Sequence, residues 1–261
     1  MSAGVEKKDR DSLGQEIRRL AHFLEMKTKT ADPSGGQELL TGLKELLSEW
    51  ERRGYELGPD KIWAKGMIDR FTIWDRRDGE IQLDPVVHDP SISVEEIPAL
   101  LRERRSIRFW KKKKVPRELI TKVVEAATYA PSAFNRMPWR FWALENDPGS
   151  MEKGDSTNAS MIAKAPVRIY LGIDLRSYEE EHAPAMDAAM AAQNLLLAAH
   201  SLGLGACFLY QSELVSQEEL RRLLGAPRHY YLFCVILMGY PDESPTAPAR
   251  MEAGKVLTFT D

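Results

Sequence analysis

The segment PAMDAAMAAQNLLLAAHSLGLG, which begins at Pro184, restricts what this chain can fold into more than any other stretch. Ala, Leu and Met favour a helix strongly, and Gly203 supplies its stop. Apolar residues occur almost all round that helix, leaving no face suited to water. It must therefore be buried on several sides, in a central core or at a subunit interface. Strand patterns stand on both sides of it, at 139–144 and 167–173 before it and at 206–210 and 230–238 after it. Helical patterns are interspersed, one beginning after Val115-Pro116 and ending at Ala130-Pro131, another at 216–224. Many helices with few strands imply an α+β or three-layer α/β core whose sheet is shielded by helices.

Residues 1–92 differ in texture from 93–261, and the boundary predicts a helical N-terminal extension with a linker, followed by the main domain. Ile17, Leu20, Ala21, Phe23 and Leu24 share helical spacings, and after the Gly35-Gly36 break so do Leu39, Leu40, Leu43, Leu46 and Leu47. From Tyr55 to Asp84 large rings and charges accumulate, including Trp63, Phe71 and Trp74, and Asp78-Gly79 predicts a hairpin between FTIW and EIQL. This part of the chain reads as a segment that wraps a partner subunit, a substrate-access cover, or a buttress. HDPSIS reads as the linker, with Ser93 and Glu96 forming a capping box for the next helix.

Charge excludes a broad nucleic-acid surface: 36 Lys+Arg face 39 Asp+Glu, a formal net charge of -3. No apolar run reaches the roughly 18 residues of a membrane span and the N-terminus lacks a signal-peptide pattern, so a cytoplasmic protein without membrane contact is expected. Cys207 and Cys234 lie in apolar strand-like sequence and read as buried, inert thiols. The five histidines are scattered, and HExxH, P-loop and GxGxxG motifs are absent, so no metal site is expected.

Two clusters carry chemistry. Arg104-Arg105-Ser106-Ile107-Arg108-Phe109 combines guanidinium forks with a hydroxyl, a donor set matched to phosphate oxygens. The Lys111–Lys114 run that follows lacks fixed geometry and reads as solvated surface. In Ala130-Pro131-Ser132-Ala133-Phe134-Asn135-Arg136-Met137-Pro138-Trp139, prolines frame a stiff polar loop able to satisfy the edge of a heterocycle. Taken alone, the first is also what an ordinary basic surface looks like, and the second an ordinary loop. Asp187 reads as an N-terminal helix charge or an interface partner.

In their order, these motifs closely resemble the nitroreductase family of FMN-dependent flavoproteins. The resemblance runs on through Met186 to Gly205, Met238-Gly239-Tyr240-Pro241 and the tail from Ala249-Arg250 to Phe259, covering about 93–261. It implies an α+β three-layer fold with a helix-covered mixed or antiparallel sheet, and an intertwined homodimer with two FMN sites at its interface. It implies that Arg104, Arg105, Ser106, Arg108 and Arg250 serve the phosphate, ribityl and pyrimidine side. Pro131, Ser132, Ala133 and Asn135 would come from the other subunit, and Ser160 falls where relatives place further flavin contacts, next to Thr157 and Asn158. Arg108 and the backbone of Gln211 are expected to tune the flavin.

The chain departs from the family pattern in having Met137 where Gln is common, and Tyr210-Gln211-Ser212 where larger relatives have an acidic residue and glycine. The implied activity is transfer of hydride from NADH or NADPH through flavin to a nitroaromatic, quinone or similarly flat small molecule. Two alternatives stay open: a flavin-dependent dehydrogenase of a bulky biosynthetic substrate, and an FMN-binding protein with little turnover.

Overall fold

The computed structural model describes residues 5–30, 33–76, 95–145, 157–210 and 215–260. Three helices open it: α1 (Arg10–Thr30), α2 (Gly36–Arg52) and α3 (Pro59–Arg76). Leu13, Ile17, Ala21 and Leu24 of α1 recur at the helical period. They meet Leu40, Leu43, Leu47 and Trp50 of α2 and Ala64, Phe71 and Trp74 of α3 in one buried cluster. FTIW is therefore helical, which corrects the hairpin. Phe71 and Trp74 lie three residues apart on one face, and a helix lets both rings enter the buried cluster where a strand would not. EIQL, Asp78-Gly79, the linker and Ser93 lie outside the described residues.

The helix α4 (Glu96–Glu103) starts from Glu95, whose side chain makes no capping bond. Pro98 belongs to its first turn, where a missing N–H costs nothing. Then come α5 (Arg117–Thr128), β1 (Trp139–Glu145), α6 (Thr157–Lys164), β2 (Val167–Asp174), α7 (Ala183–Ser201), β3 (Gly205–Tyr210), α8 (Gln217–Leu224) and β4 (Tyr230–Gly239). Ser216 and Glu219 close a capping box on α8.

The four described strands form an antiparallel sheet in the order β1-β2-β4-β3. Every residue of β2 is buried because both faces are covered, which explains its imperfect alternation in sequence. Ile169, Leu171, Ile236 and Met238 pack on α5 and α7 through Val123, Ala127, Ala191 and Leu195. On the other face Tyr170, Leu232 and Leu237 meet Ile162 of α6 and Leu220 of α8. The architecture is α+β, with a sheet between two helical layers.

The expected burial of α7 on several sides is only half met within one chain. Ala188, Ala192, Leu195, Leu196 and Ala199 enter the core, whereas Met186 and Ala189 stand exposed and Met190 and Leu197 are half-buried. The tail is likewise uncovered, with Met251 70%, Val256 66% and Phe259 85% exposed.

Candidate functional site

The arginine cluster is built onto the free edge of the sheet. Arg104 ends α4, and the chain then runs extended past β3, where Ser106 forms a parallel bridge with Ala206 and Ile107 N donates to the Ala206 carbonyl at 3.0 Å. Gly205 permits this approach, since a Cβ there would stand 2.7 Å from Ile107 Cγ1. Trp110 pins the far end by donating from Nε1 to the Gly205 carbonyl at 2.9 Å. Glu243 accepts from the backbone N–H groups of Arg108 and Phe109.

Beside this segment lies a cleft of about 420 Å³, bounded among others by Arg104, Ile107, Leu196, His200, Leu204 and Glu243. Arg104 makes no ion pair among the described residues and is half-buried, so its donors are available to an anion. Arg108 is exposed, with Nη1 3.3 Å from the Ser106 carbonyl. Arg105 borders the cleft but donates to the Arg102 and Arg104 carbonyls, closing the end of its own helix. Ser160 is exposed on α6, and Arg250 lies in the exposed tail, donating to its neighbour Ala249. Gln211 lies outside the described residues, as do the side chains of Thr157 and Asn158. Cys207 and Cys234 are buried; burial raises both thiols, that of Cys234 to about 12.

The proline-framed loop forms at the opposite end of α7. Phe134, Asn135 and Met137 adopt positive φ values of 51°, 55° and 48°, each costing roughly 1–3 kcal/mol in a residue with a side chain. A dense set of bonds holds this shape. Both carboxylate oxygens of Asp187 accept from Ala133 N at 3.1 Å, and one accepts from the Tyr178 hydroxyl at 2.5 Å. Ser132 Oγ accepts from Met137 N at 3.0 Å, and Arg136 pairs with Glu180 at 3.0 Å. Asp187 thus anchors this loop within its own chain, a role its place in the sequence did not reveal. Burial raises its carboxyl, and raises the Tyr178 hydroxyl beside it.

Sequence reasoning also missed Arg18, whose guanidinium reaches this loop from α1; a contact across 118 residues leaves no local signal. The Met137 side chain borders a separate cavity of about 300 Å³ between the extension and the core, with Arg18, Trp50, Lys61 and Tyr230. Among the described residues no group of three or more His, Cys, Asp or Glu side chains could hold a metal, and no helix is long and apolar enough to cross a membrane.

Asp187 and His200 mark the two ends of α7, about 20 Å apart at the usual helical rise. The Arg104 cleft is not bounded by the Ser132 loop, so one chain keeps the two predicted halves of the site apart.

Residues 101–153 and 149–240 match the model of the nitroreductase family. The chain belongs to that family. The match covers both clusters and the whole sheet, and the three-helix extension precedes it. A relative from Methanothermobacter thermautotrophicus, named as an NADH dehydrogenase/NAD(P)H nitroreductase, is 38% identical over 160 residues, 60% of this chain and 83% of that one. An NADH oxidase structure from Clostridium acetobutylicum shares 33% identity with a TM-score of 0.53, covering 62% of this chain and 99% of its own. A nitroreductase from Desulfovibrio desulfuricans, solved in complex with FMN, shares 27% identity with a TM-score of 0.55 and covers 64% and 97%. As a nitroreductase-family member the protein is an oxidoreductase.

Proposed function

We propose that the protein binds FMN and passes electrons from NADH or NADPH to a flat acceptor such as a nitroaromatic or quinone. The observation that carries this reading is the half-buried, uncommitted Arg104 guanidinium above a cleft, with Ser106 and Arg108 fixed beside it on the sheet edge. That donor set fits a phosphate ester and its polar chain. When bound, FMN would supply the two-electron chemistry; the protein's part is binding, orientation and electrostatics. Arg104 and Ser106 would hold the phosphate and ribityl side, Arg108 would favour negative charge on the ring system, and Arg250 would reach the phosphate from the tail. The binding of FMN by the Desulfovibrio relative supports the same assignment.

The site would be completed by a second copy of this chain. Ser132, Ala133 and Asn135 are half-buried on their loop, and the Asn135 side-chain amide makes no hydrogen bond among the described residues, leaving it free for a ligand edge. The exposed stripe of α7 and the exposed apolar tail are the surfaces such a partner would cover. We assign residues 93–261 to this flavin domain and 1–92 to the extension. Phe71 and Trp74 are used inside the extension's own core, which gives the bulky-substrate alternative no support.

Anaerobic mixing of FMN-loaded protein with NADH and NADPH tests the activity. Rapid bleaching of the flavin by at least one nucleotide, followed by reoxidation with nitroaromatics or quinones, is expected. Failure of both nucleotides to reduce the flavin would refute the reading.

A further inference from the structure

The loop that carries Ser132 and Asn135 is held from behind by the N-terminal extension. Arg18 of α1 donates from Nε to the Arg136 carbonyl at 2.7 Å and from Nη2 to the Met137 carbonyl at 3.3 Å, while Nη1 pairs with Asp60 of α3 at 2.7 Å. Its side chain is only 12% exposed. One planar fork therefore ties two helices of the extension to two carbonyls of a loop in which Phe134, Asn135 and Met137 are left-handed and Arg136 between them is not. The Phe23 ring adds a second grip, tilted against Phe134 with centroids 5.1 Å apart. A polar seam fixes where α1 lies: buried Gln15 donates to buried Asp174 at 3.0 Å, and Tyr230 donates to Asp11 at 2.9 Å.

We infer that the extension is a positioning device for the flavin loop, with Arg18 as its positioning residue. This rests on the proposed FMN site. The loop serves the partner subunit's flavin in that arrangement, so the extension of one chain sets the pocket geometry of the other. Without Arg18, the Arg136 and Met137 carbonyls lose their donors and the strained loop around Phe134, Asn135 and Met137 loses its outer restraint. The pocket then becomes a set of conformers, of which few suit the ring.

The test uses the full-length protein with Arg18→Ala, Arg18→Lys, Phe23→Ala and Arg104→Ala. Three quantities are read: FMN affinity by fluorescence titration, the visible circular dichroism of bound flavin, and amide exchange at residues 133–137 in the apo-protein. Arg18→Ala is expected to raise the FMN Kd about tenfold or more, change the flavin dichroism and speed exchange in the loop. Lysine should not restore the affinity, because donors on one nitrogen cannot reproduce the planar spread by which three guanidinium nitrogens reach Arg136, Met137 and Asp60. Millimolar guanidinium ion should, and a general loss of stability would not respond in that way. If Arg104→Ala releases FMN while folded Arg18→Ala binds it with wild-type affinity and dichroism, the positioning role is overturned and the flavin site stands. If Arg104→Ala leaves FMN binding unchanged, the flavin site itself is wrong. Should Arg18→Ala fail to fold, Phe23→Ala decides: unchanged affinity and dichroism overturn the inference, and weaker binding with faster loop exchange supports it.

Discussion

Replacing Gly205 by alanine should release FMN while leaving the sheet intact. A Cβ at this position would lie 2.7 Å from Ile107 Cγ1 and 2.8 Å from both Ile107 Cβ and Cγ2. Ile107 is branched at Cβ and 7% exposed, so it cannot swing clear by changing rotamer. Overpacking of this kind costs about 1–3 kcal/mol, and lifting the segment sacrifices the bond from Ile107 N to Ala206 at about 0.5–1.5 kcal/mol. The strain is relieved most easily by moving the segment, because one bridge at Ser106, the Ile107 N–H bond and the Trp110 Nε1 bond to Gly205 hold it to β3, whereas β3 itself pairs with β4 over six residues. Ser106 and the adjoining Arg104 would then leave the cleft. If about 2–3 kcal/mol is expressed at the ligand, the FMN Kd rises roughly 30- to 150-fold. Gly225→Ala is the control: its φ is +61° with no atom within 4 Å of a new Cβ, so about 1–2 kcal/mol of backbone strain should lower Tm without touching FMN. Titration of the two apo-proteins, with melting followed by circular dichroism, reads both effects. Wild-type FMN affinity in folded Gly205→Ala would refute the docking argument, as would an equal loss in Gly225→Ala.

Leu196→Arg should prevent folding, since that side chain is 7% exposed in the chain's own core, whereas Met186→Asp should yield folded protein that dissociates in sedimentation velocity; a dimeric Met186→Asp protein would disprove the exposed stripe as the contact. Burial works against the Asp60 carboxylate, but Lys61 and Arg18 outweigh it and hold its pKa below the usual value. Its folded-state pKa is depressed, so the stabilisation is present above about pH 4 and lost as pH falls through the folded value. Asp60→Asn should accordingly flatten the acid limb of Tm against pH, and an unchanged limb would count against this pairing. Both cysteines should resist iodoacetamide at pH 8 in native protein and react at once in denaturant; mass spectrometry showing labelled, folded chain would contradict their raised pKa values.

The sequence was most legible where composition and period agree. The Ala- and Leu-rich run became α7 and Gly203 ended it, and the four strand patterns became the four described strands within a residue or two. Legibility failed where distant contacts decide. Phe71 and Trp74 read as strand residues next to a turn signal, yet a helix lets both reach the cluster built by α1 and α2. The chemical types in the Arg104 and Ser132 clusters could be read directly, but their separation along α7 could not, because it depends on how the sheet and helices stack. The loop-holding contacts of Asp187 and Arg18 were unreadable for the same reason: each acts on a backbone group more than fifty residues away.

The placement of the two half-sites at opposite ends of α7 has a genetic consequence. Under the proposed pairing, a chain disabled at Arg104 and a chain disabled at Ser132 and Asn135 are each inactive as homodimers. A mixed dimer collects both faults in one pocket and leaves the other whole, so random pairing of the two dead chains should recover about a quarter of the normal sites. With both faults placed in a single chain and that chain paired with an intact one, each pocket carries one fault and neither works.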